Sequence, residues 1–417
     1  MMKQINVRNW AHVALFNLLL VACLGVLMRL KILLPLPWVN QRFTLHAHSH
    51  FAFSGWITQA LLLSVAIVVL GVKFDEKLPR RYNLLLAFNL FCAYGMLVSF
   101  FIQGYAAVSI TFSTLSILVS FIFYWFCKKD LTEAVSQSVW WKYIHAALIF
   151  NLLSCLGTFA LAWTMVFQPA NTELRLASVY FYLHFQYNGW FFFACMGLLH
   201  HWLQVKHIVL SNKLTLFRIF SISCVPMYLL SINWLAFPLA LNGFAIFTAL
   251  VQFGAFVYFA MTIVQSRNKI LDGLPAIARL LMVCVFIAVC VKFTLQTASS
   301  IPAIAHLAFG FRTVVIAYLH LVLLGIISLF LIFWFFLNGA INPTATARLG
   351  IVIFVFGIIF NEFLLMIQGI GSMSGIYIGY VSEMLALAGL IMGSGLVFLL
   401  KDNSRFNTPW FFQETSD

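Results

Sequence analysis

Residues 46–72 read HAHSHFAFSGWITQALLLSVAIVVLGV, and how this stretch is read decides the fold. It contains no Asp, Glu, Lys or Arg. It is also longer than the roughly 20 apolar residues that a helix needs to cross the hydrocarbon core of a bilayer. Polar and apolar residues do not alternate along it as they would in a half-buried strand. It therefore reads as a membrane-spanning helix that opens on three histidines, His46, His48 and His50.

Working outward, runs of the same kind recur through all 417 residues. Spans are expected near 11–34, 46–72, 83–104, 107–127, 141–167, 176–204, 215–236, 239–265, 277–298, 312–338, 348–370 and 375–400. Hydrophobic residues make up 63% of the chain and charged residues 8%. A soluble domain carries about 25% charged residues, so this chain could not keep a surface hydrated. In lipid every backbone polar group must be satisfied internally, and helices are the solution this pattern allows. The expectation is an all-α polytopic membrane protein of about twelve transmembrane helices, with 1–417 forming a single integral membrane domain. Lys3 and Arg8 before the apolar run from Ala11 imitate a secretory signal. No small-residue cleavage site follows, so the run reads as the first span.

The net charge of +13 raises the question of an anionic partner. The basic residues form no patch, which sets nucleic acid aside. They sit instead in alternate short loops: Lys3 and Arg8, Lys73 to Arg81, Lys128 to Lys142, Lys206 to Arg218, Arg267 to Arg279, Arg348, then Lys401 and Arg405. The opposite loops are poor in them, apart from Arg29, Lys31 and Arg42 in the first. Positive loops stay on the cytoplasmic side, which places both termini there. The eight cysteines lie within or at the ends of apolar runs, without a C-x-x-C or C-x-x-C-H pattern. Zinc ribbons, covalently attached haem and a disulfide framework are unsupported.

The second span also begins an internal repeat. H-F-A-F-S-G-W starts at His50, H-F-Q-Y-N-G-W at His184 and H-L-V-L-L-G-I at His320. Each is His-x4-Gly, at separations of four spans, and the three open spans two, six and ten. One such motif means nothing; three at equal spacing and equal position argue for a shared role. The implied repeat units are 11–127, 141–265 and 277–400, a pseudo-threefold arrangement of four-helix units. Other costly groups reach the same level: Arg29, Asn188, Asn233, Lys292, Tyr318, Glu362 and Glu383. Ionisable groups at such depth are normally paired, wet or bound to something. Taken singly, a histidine in an apolar helix is more often a hydrogen-bonded packing residue than a ligand. His12, His145, His200, His201 and His207 read as structural or solvated, and His306 stays open between roles. Lys292, Glu362 and Glu383 fit an ion pair or a proton site equally well.

Twelve spans, cytoplasmic termini, a threefold repeat and histidines in spans two, six and ten resemble subunit I of the haem-copper oxidase superfamily. HAHSHFAFSGW is also similar to the H-A-H element of the NnrS-like membrane proteins linked to nitric oxide tolerance. The run from His184 is similar to the His-x-x-x-Glu-Gly motif of the nitric oxide reductases. The resemblance implies a bacterial inner membrane protein with a b-type haem held by His48 or His50 together with His320. It implies a respiratory-chain electron donor and a second-metal position at His184, with His46 as a further metal candidate. Several of the family's ligands are missing. Tyr318 stands where the catalytic haem ligand belongs, Asn188 replaces the glutamate, and Ser231-Ile232-Asn233-Trp234 holds no histidine pair. Copper or non-haem iron is therefore not expected, and any enzyme would be an oxidoreductase of this type lacking its standard binuclear centre. The roles implied are electron transfer or a nitric oxide or oxygen response. The rival readings are a proton- or metal-ion-coupled transporter or channel, and a metal-free assembly subunit of a respiratory complex.

Overall fold

The computed structural model describes residues 6–235, 237–301, 303–305 and 310–401. Among these no strand forms, and the chain is a series of long helices. They are α1 (Val7–Leu33), α2 (Gln41–Leu70), α3 (Arg80–Gln103), α4 (Ala107–Lys129) and α5 (Val139–Phe167). Next comes α6, built from Thr172–His184, Phe185–Phe191 and Phe192–Val205, followed by α7 (Lys213–Cys224). The last are α8 (Leu239–Gln265), α9 (Ala276–Ala298), α10 (Arg312–Leu337), α11 (Ala345–Met373) and α12 (Val381–Lys401). Ten of these are long and apolar enough to cross a membrane, the remaining two being α6 and α7. The protein is an all-α, multi-pass membrane protein, and its helices need lipid around them.

α6 and α7 depart from the simple pattern for different reasons. In α6 the histidine, glutamine, asparagine and tyrosines of the HFQYNGW run dilute the apolar signal without breaking the helix. In α7 Pro226 does break it. Proline has no N–H to donate and its ring clashes with the preceding turn. The helix accordingly stops at Cys224 and resumes as a short turn, Tyr228–Ser231.

Helix starts follow the capping chemistry. Asn40 accepts hydrogen bonds from the backbone N–H groups of Arg42 and Phe43, and Ser138, Asn171 and Thr344 cap α5, α6 and α11 in the same way. Asparagine, serine and threonine suit this position because their side-chain oxygens satisfy otherwise orphaned donors. Asn40 has a consequence for the site. The span expected from residue 46 begins at Gln41, so His46, His48 and His50 are not at its mouth. At ~1.5 Å per residue His50 lies about 14 Å along its helix, close to the values of about 18 Å for His184 and about 12 Å for His320.

The helices gather into two compact units. Unit 1 comprises Met1–Asp130, Pro275–Val285 and Ile327–Asp417; unit 2 comprises Leu131–Leu274 and Phe286–Ile326. In unit 1 the α11–α12 pair packs backbone to backbone: a Cβ on Gly395 would come 2.6 Å from the Phe354 nitrogen, and one on Gly350 2.6 Å from the Gly395 oxygen. Trp10, Trp56, Phe51 and Phe100 fill its centre. In unit 2 the buried Trp190, Tyr143, Phe185 and Phe193 do the same. Buried small residues and close approach are how helices associate in lipid, where no hydrophobic gain separates protein from solvent.

Candidate functional site

Each of the three His-x4-Gly motifs adopts the same local geometry. Directly after His184 and His320, and one residue after His50, the α-helix widens into a π-helical turn: Ala52–Thr58, Phe185–Phe191 and Leu321–Ser328. A π turn carries an extra residue and disturbs the regular hydrogen-bond ladder, and such turns concentrate at functional sites. In lipid the groups it loosens must find other partners.

Unit 1 supplies those partners as amides. Asn17 Nδ2 donates to the Gly55 carbonyl at 2.6 Å, and Asn89 Nδ2 donates to the Ser54 carbonyl at 3.2 Å and to Gln59 Oε1 at 2.7 Å. Tyr94 then donates to Asn17 Oδ1 at 2.9 Å, and Trp56 Nε1 donates to Ser328 Oγ at 2.8 Å. With the turn satisfied, the histidines have other roles. His48 Nδ1 bonds the Val21 carbonyl at 3.1 Å, and its ring lies beside Gly25, where a Cβ would come 3.5 Å from Cε1. His50 Nε2 bonds the Tyr105 hydroxyl at 2.9 Å, and its ring stacks on Phe100 with centroids 4.2 Å apart. His46 stands edge-on to Tyr105 at 4.6 Å, and its buried Nε2 has no hydrogen-bond partner.

In unit 2 His184 is itself the partner. The break at Pro226 sends the Tyr228 N–H to the Val225 carbonyl. His184 Nε2 bonds the Cys224 carbonyl at 2.8 Å, and its Nδ1 meets Ser231 Oγ at 3.2 Å and Asn188 Nδ2 at 3.3 Å. The three bonds agree on one tautomer, with the proton on Nε2 and Nδ1 accepting. Gln186 Nε2 donates to Asn151 Oδ1 at 2.9 Å and to Ser154 Oγ at 2.7 Å. On α10, His320 Nδ1 bonds the Ile316 carbonyl at 2.8 Å, and Tyr318 meets Tyr187 edge-on at 6.1 Å.

The remaining polar candidates fall into separate places. Lys292 and Asn188 line a small cavity in unit 2 with His184, Cys224, Gln252 and Gln296. In unit 1 Asn361 donates to Glu362 at 3.1 Å, while Glu383 lines a separate cavity of about 330 Å³ with Gln368, Ser372 and Tyr380. Arg29 is half-buried in α1, and Asn233 lies in the turn after Ser231. An ion pair at Lys292 is not what forms. Among the described residues the ion pair is Arg81–Asp130, with Tyr82 donating to the same carboxylate, and Lys292 rests against phenyl rings. His200 also corrects its sequence reading as a solvated residue: it is 6% exposed and stacks on Tyr143, because that face of α6 packs on α5. His306 lies outside the described residues.

These donors test the two groups that the resemblance implies. A haem-ligating histidine typically fixes its tautomer by giving one ring N–H to a carbonyl, which leaves the lone pair of the other nitrogen for the iron. His48 and His320 are both bonded through Nδ1 to a backbone carbonyl, which matches the tautomer-fixing half of that requirement. The second-metal position does not fit. Both nitrogens of His184 are engaged, the neutral Asn188 is a weak donor for transition metals, and no group of three His, Cys, Asp or Glu is gathered among the described residues.

One signal for the partners was present in the sequence. The 134-residue offset between His50 and His184 also relates Asn17 to Asn151, Phe51 to Phe185, Trp56 to Trp190 and Tyr94 to Tyr228. The repeat thus reaches beyond the histidine spans to the helices that pack against their π turns. Compared with models of known protein families and with curated proteins, the sequence matches none.

Proposed function

We propose that this chain is a haem-binding membrane protein built on the plan of subunit I of the haem-copper oxidases, in which His48 and His320 would each be a ligand to a b-type haem. The observation that carries the reading is the shared Nδ1-to-carbonyl bond of those two imidazoles, each on a span whose π turn follows the repeated histidine. Of the three histidines in the H-A-H-S-H run, this favours His48, whose ring bonds a backbone carbonyl while that of His50 bonds the Tyr105 hydroxyl. The absence of a C-x-x-C-H pattern from the sequence makes the haem noncovalent. A haem supplies one-electron chemistry and a seat for diatomic gases. The chain's part is to orient the two imidazoles and to keep bulk water from them with the apolar helices around them. The role is electron transfer or a response to nitric oxide or oxygen, with a respiratory-chain protein as electron donor. Reduction of either gas at a binuclear centre is not part of the proposal, because the second-metal donors do not fit.

The same proposal holds that the chain crosses a bacterial inner membrane twelve times, with α6 and α7 completing the ten apolar spans, three pseudo-equivalent four-helix units and both termini cytoplasmic. The alternating basic loops support it. Reporter fusions after Lys401 should report the cytoplasmic side.

The visible spectrum of the purified protein, oxidised and then dithionite-reduced, tests the cofactor. The reduced protein should show the sharp bands of a b-type haem. His48→Ala and His320→Ala should each abolish those bands, while His200→Ala leaves them intact. A folded protein that stays colourless when made with ample haem would overturn the reading in favour of ion transport or an assembly role.

A further inference from the structure

The unit 2 cavity holds an arrangement that the haem reading does not use. Lys292 is 3% exposed and lies about 9 Å, at ~1.5 Å per residue, from the end of α9 at Ala298. A lysine there needs compensation for lost water, usually a carboxylate. The cavity offers none. The Lys292 ammonium sits 4.1 Å from the centre of the Phe293 ring and 5.4 Å from that of Phe192, and makes no hydrogen bond or ion pair among the described residues. Ring faces attract cations, so the pocket is shaped for a positive charge.

Two amide oxygens complete it, and their orientation is dictated from outside. His184 gives its Nε2 proton to the Cys224 carbonyl, so its Nδ1 can only accept, and Asn188 must present Nδ2 to it. Asn188 Oδ1 is then left buried without a donor. On the other side Gln252 Nε2 donates to Ser223 Oγ at 2.9 Å, and Gln252 Oε1 accepts from Gln296 Nε2 at 2.8 Å. That leaves Gln296 Oε1 buried without a donor as well. One ammonium and two acceptors that do not reach each other thus line a void of about 10 Å³, close to the smallest that holds one water molecule.

We propose that this cavity is an intramembrane protonation site. One water accepts from Lys292 Nζ and donates to Asn188 Oδ1 and Gln296 Oε1, and Lys292 exchanges its proton through that water. In the exchange an N–H bond breaks, its electron pair stays on Nζ, and the proton joins the water oxygen as hydronium held by the two amides. The titratable groups facing Lys292 are His184 from α6 and Cys224 from α7; α8 contributes only the neutral Gln252. The inference uses neither His48 nor His320 and stands apart from the haem reading.

The test is the side-chain nitrogen resonance of Lys292 in protein labelled with ¹⁵N-lysine, assigned by its loss in Lys292→Arg and followed against pH. Gln296→Glu places a carboxylate at the acceptor position and should raise the proton affinity of Lys292 by about tenfold. Gln296→Met removes the acceptor at similar length and should lower it by a comparable factor. Should Gln296→Met fail to fold, Gln296→Glu alone decides. A titration midpoint that does not move with the acceptor overturns the proposal. So does a resonance that shifts with added chloride at fixed pH, which would make the cavity an anion site. His48→Ala protein should titrate like wild type, so a colourless protein leaves this test intact.

Discussion

The turn after His50 and the turn after His184 have the same sequence frame and the same π-helical backbone, yet their histidines end in opposite conditions. In unit 1 the turn's carbonyls are taken by Asn17 and Asn89, and the imidazoles of the H-A-H-S-H run are left to face Val21, Tyr105 and Phe100. In unit 2 Pro226 interrupts a neighbouring helix, and His184 meets a carbonyl at the break. One histidine is held by neighbouring side chains, Tyr105 and Phe100; the other is a strut across a broken backbone. A motif repeated in sequence therefore fixes the backbone, while the helices packed against it decide what the side chain can do.

The comparison breaks most readily at the glycines of the motifs. A Cβ on Gly189 would lie 2.6 Å from Phe150 Cβ, whereas one on Gly325 meets nothing closer than 3.5 Å. Gly189→Leu should cost about 3 kcal/mol or more by overpacking. Gly325→Ala should stay within about 0.5 kcal/mol. Thermal unfolding in detergent measures both, and equal losses would mean that the three turns are packed alike. A smaller effect sharpens the unit 1 side. Asn17→Leu leaves the Gly55 carbonyl and the Tyr94 hydroxyl without their partner, and should destabilise by about 2 kcal/mol. Asn17→Ser, short of the carbonyl, should not rescue it. The smallest effect separates the two histidines. His184→Leu should cost about 1–2 kcal/mol because the Cys224 carbonyl stays buried and unpaired. His50→Leu forfeits chiefly a stacked ring contact and one hydrogen bond at the partly exposed Tyr105, about 1 kcal/mol or less. A reversal of that order would show that His184 is not the strut described here.

The helical, multi-pass fold was legible in the sequence because apolar runs free of charge admit few other structures in lipid. The His-x4-Gly spacing was legible too, and it marks where the π turns fall. What the turns use for support was not legible from the motif alone. Asn17, Asn89 and Asn151 are single polar residues in apolar helices, and their meaning depends on which helix face meets which turn. The start of α2 was misplaced by five residues because Arg42 argued for a loop, whereas Asn40 supplies a cap that lets the helix include it. The polar groups read as one layer also divide between local partners. Glu362 takes Asn361, Glu383 lines its own cavity, and Lys292 faces phenyl rings and amides. Depth along a helix places such groups at one level and says nothing about their direction.

Direction is what a π turn preserves. One additional residue in a plain helix of 3.6 residues per turn would advance everything after it by about 100°, but a wider turn takes up that residue within itself. In each of the three spans the residues beyond the glycine therefore keep nearly the facing that a plain helix one residue shorter would give them. Removing a single residue from Ala52–Thr58 should restore a plain helix and leave Gln59, Ser64 and the rest of that span close to the neighbours they now meet. The same deletion made beyond the turn should swing the remainder of the span away by about 100°. Each turn thus acts as a slack loop in its span, storing one residue that can be released without turning the helix beyond it.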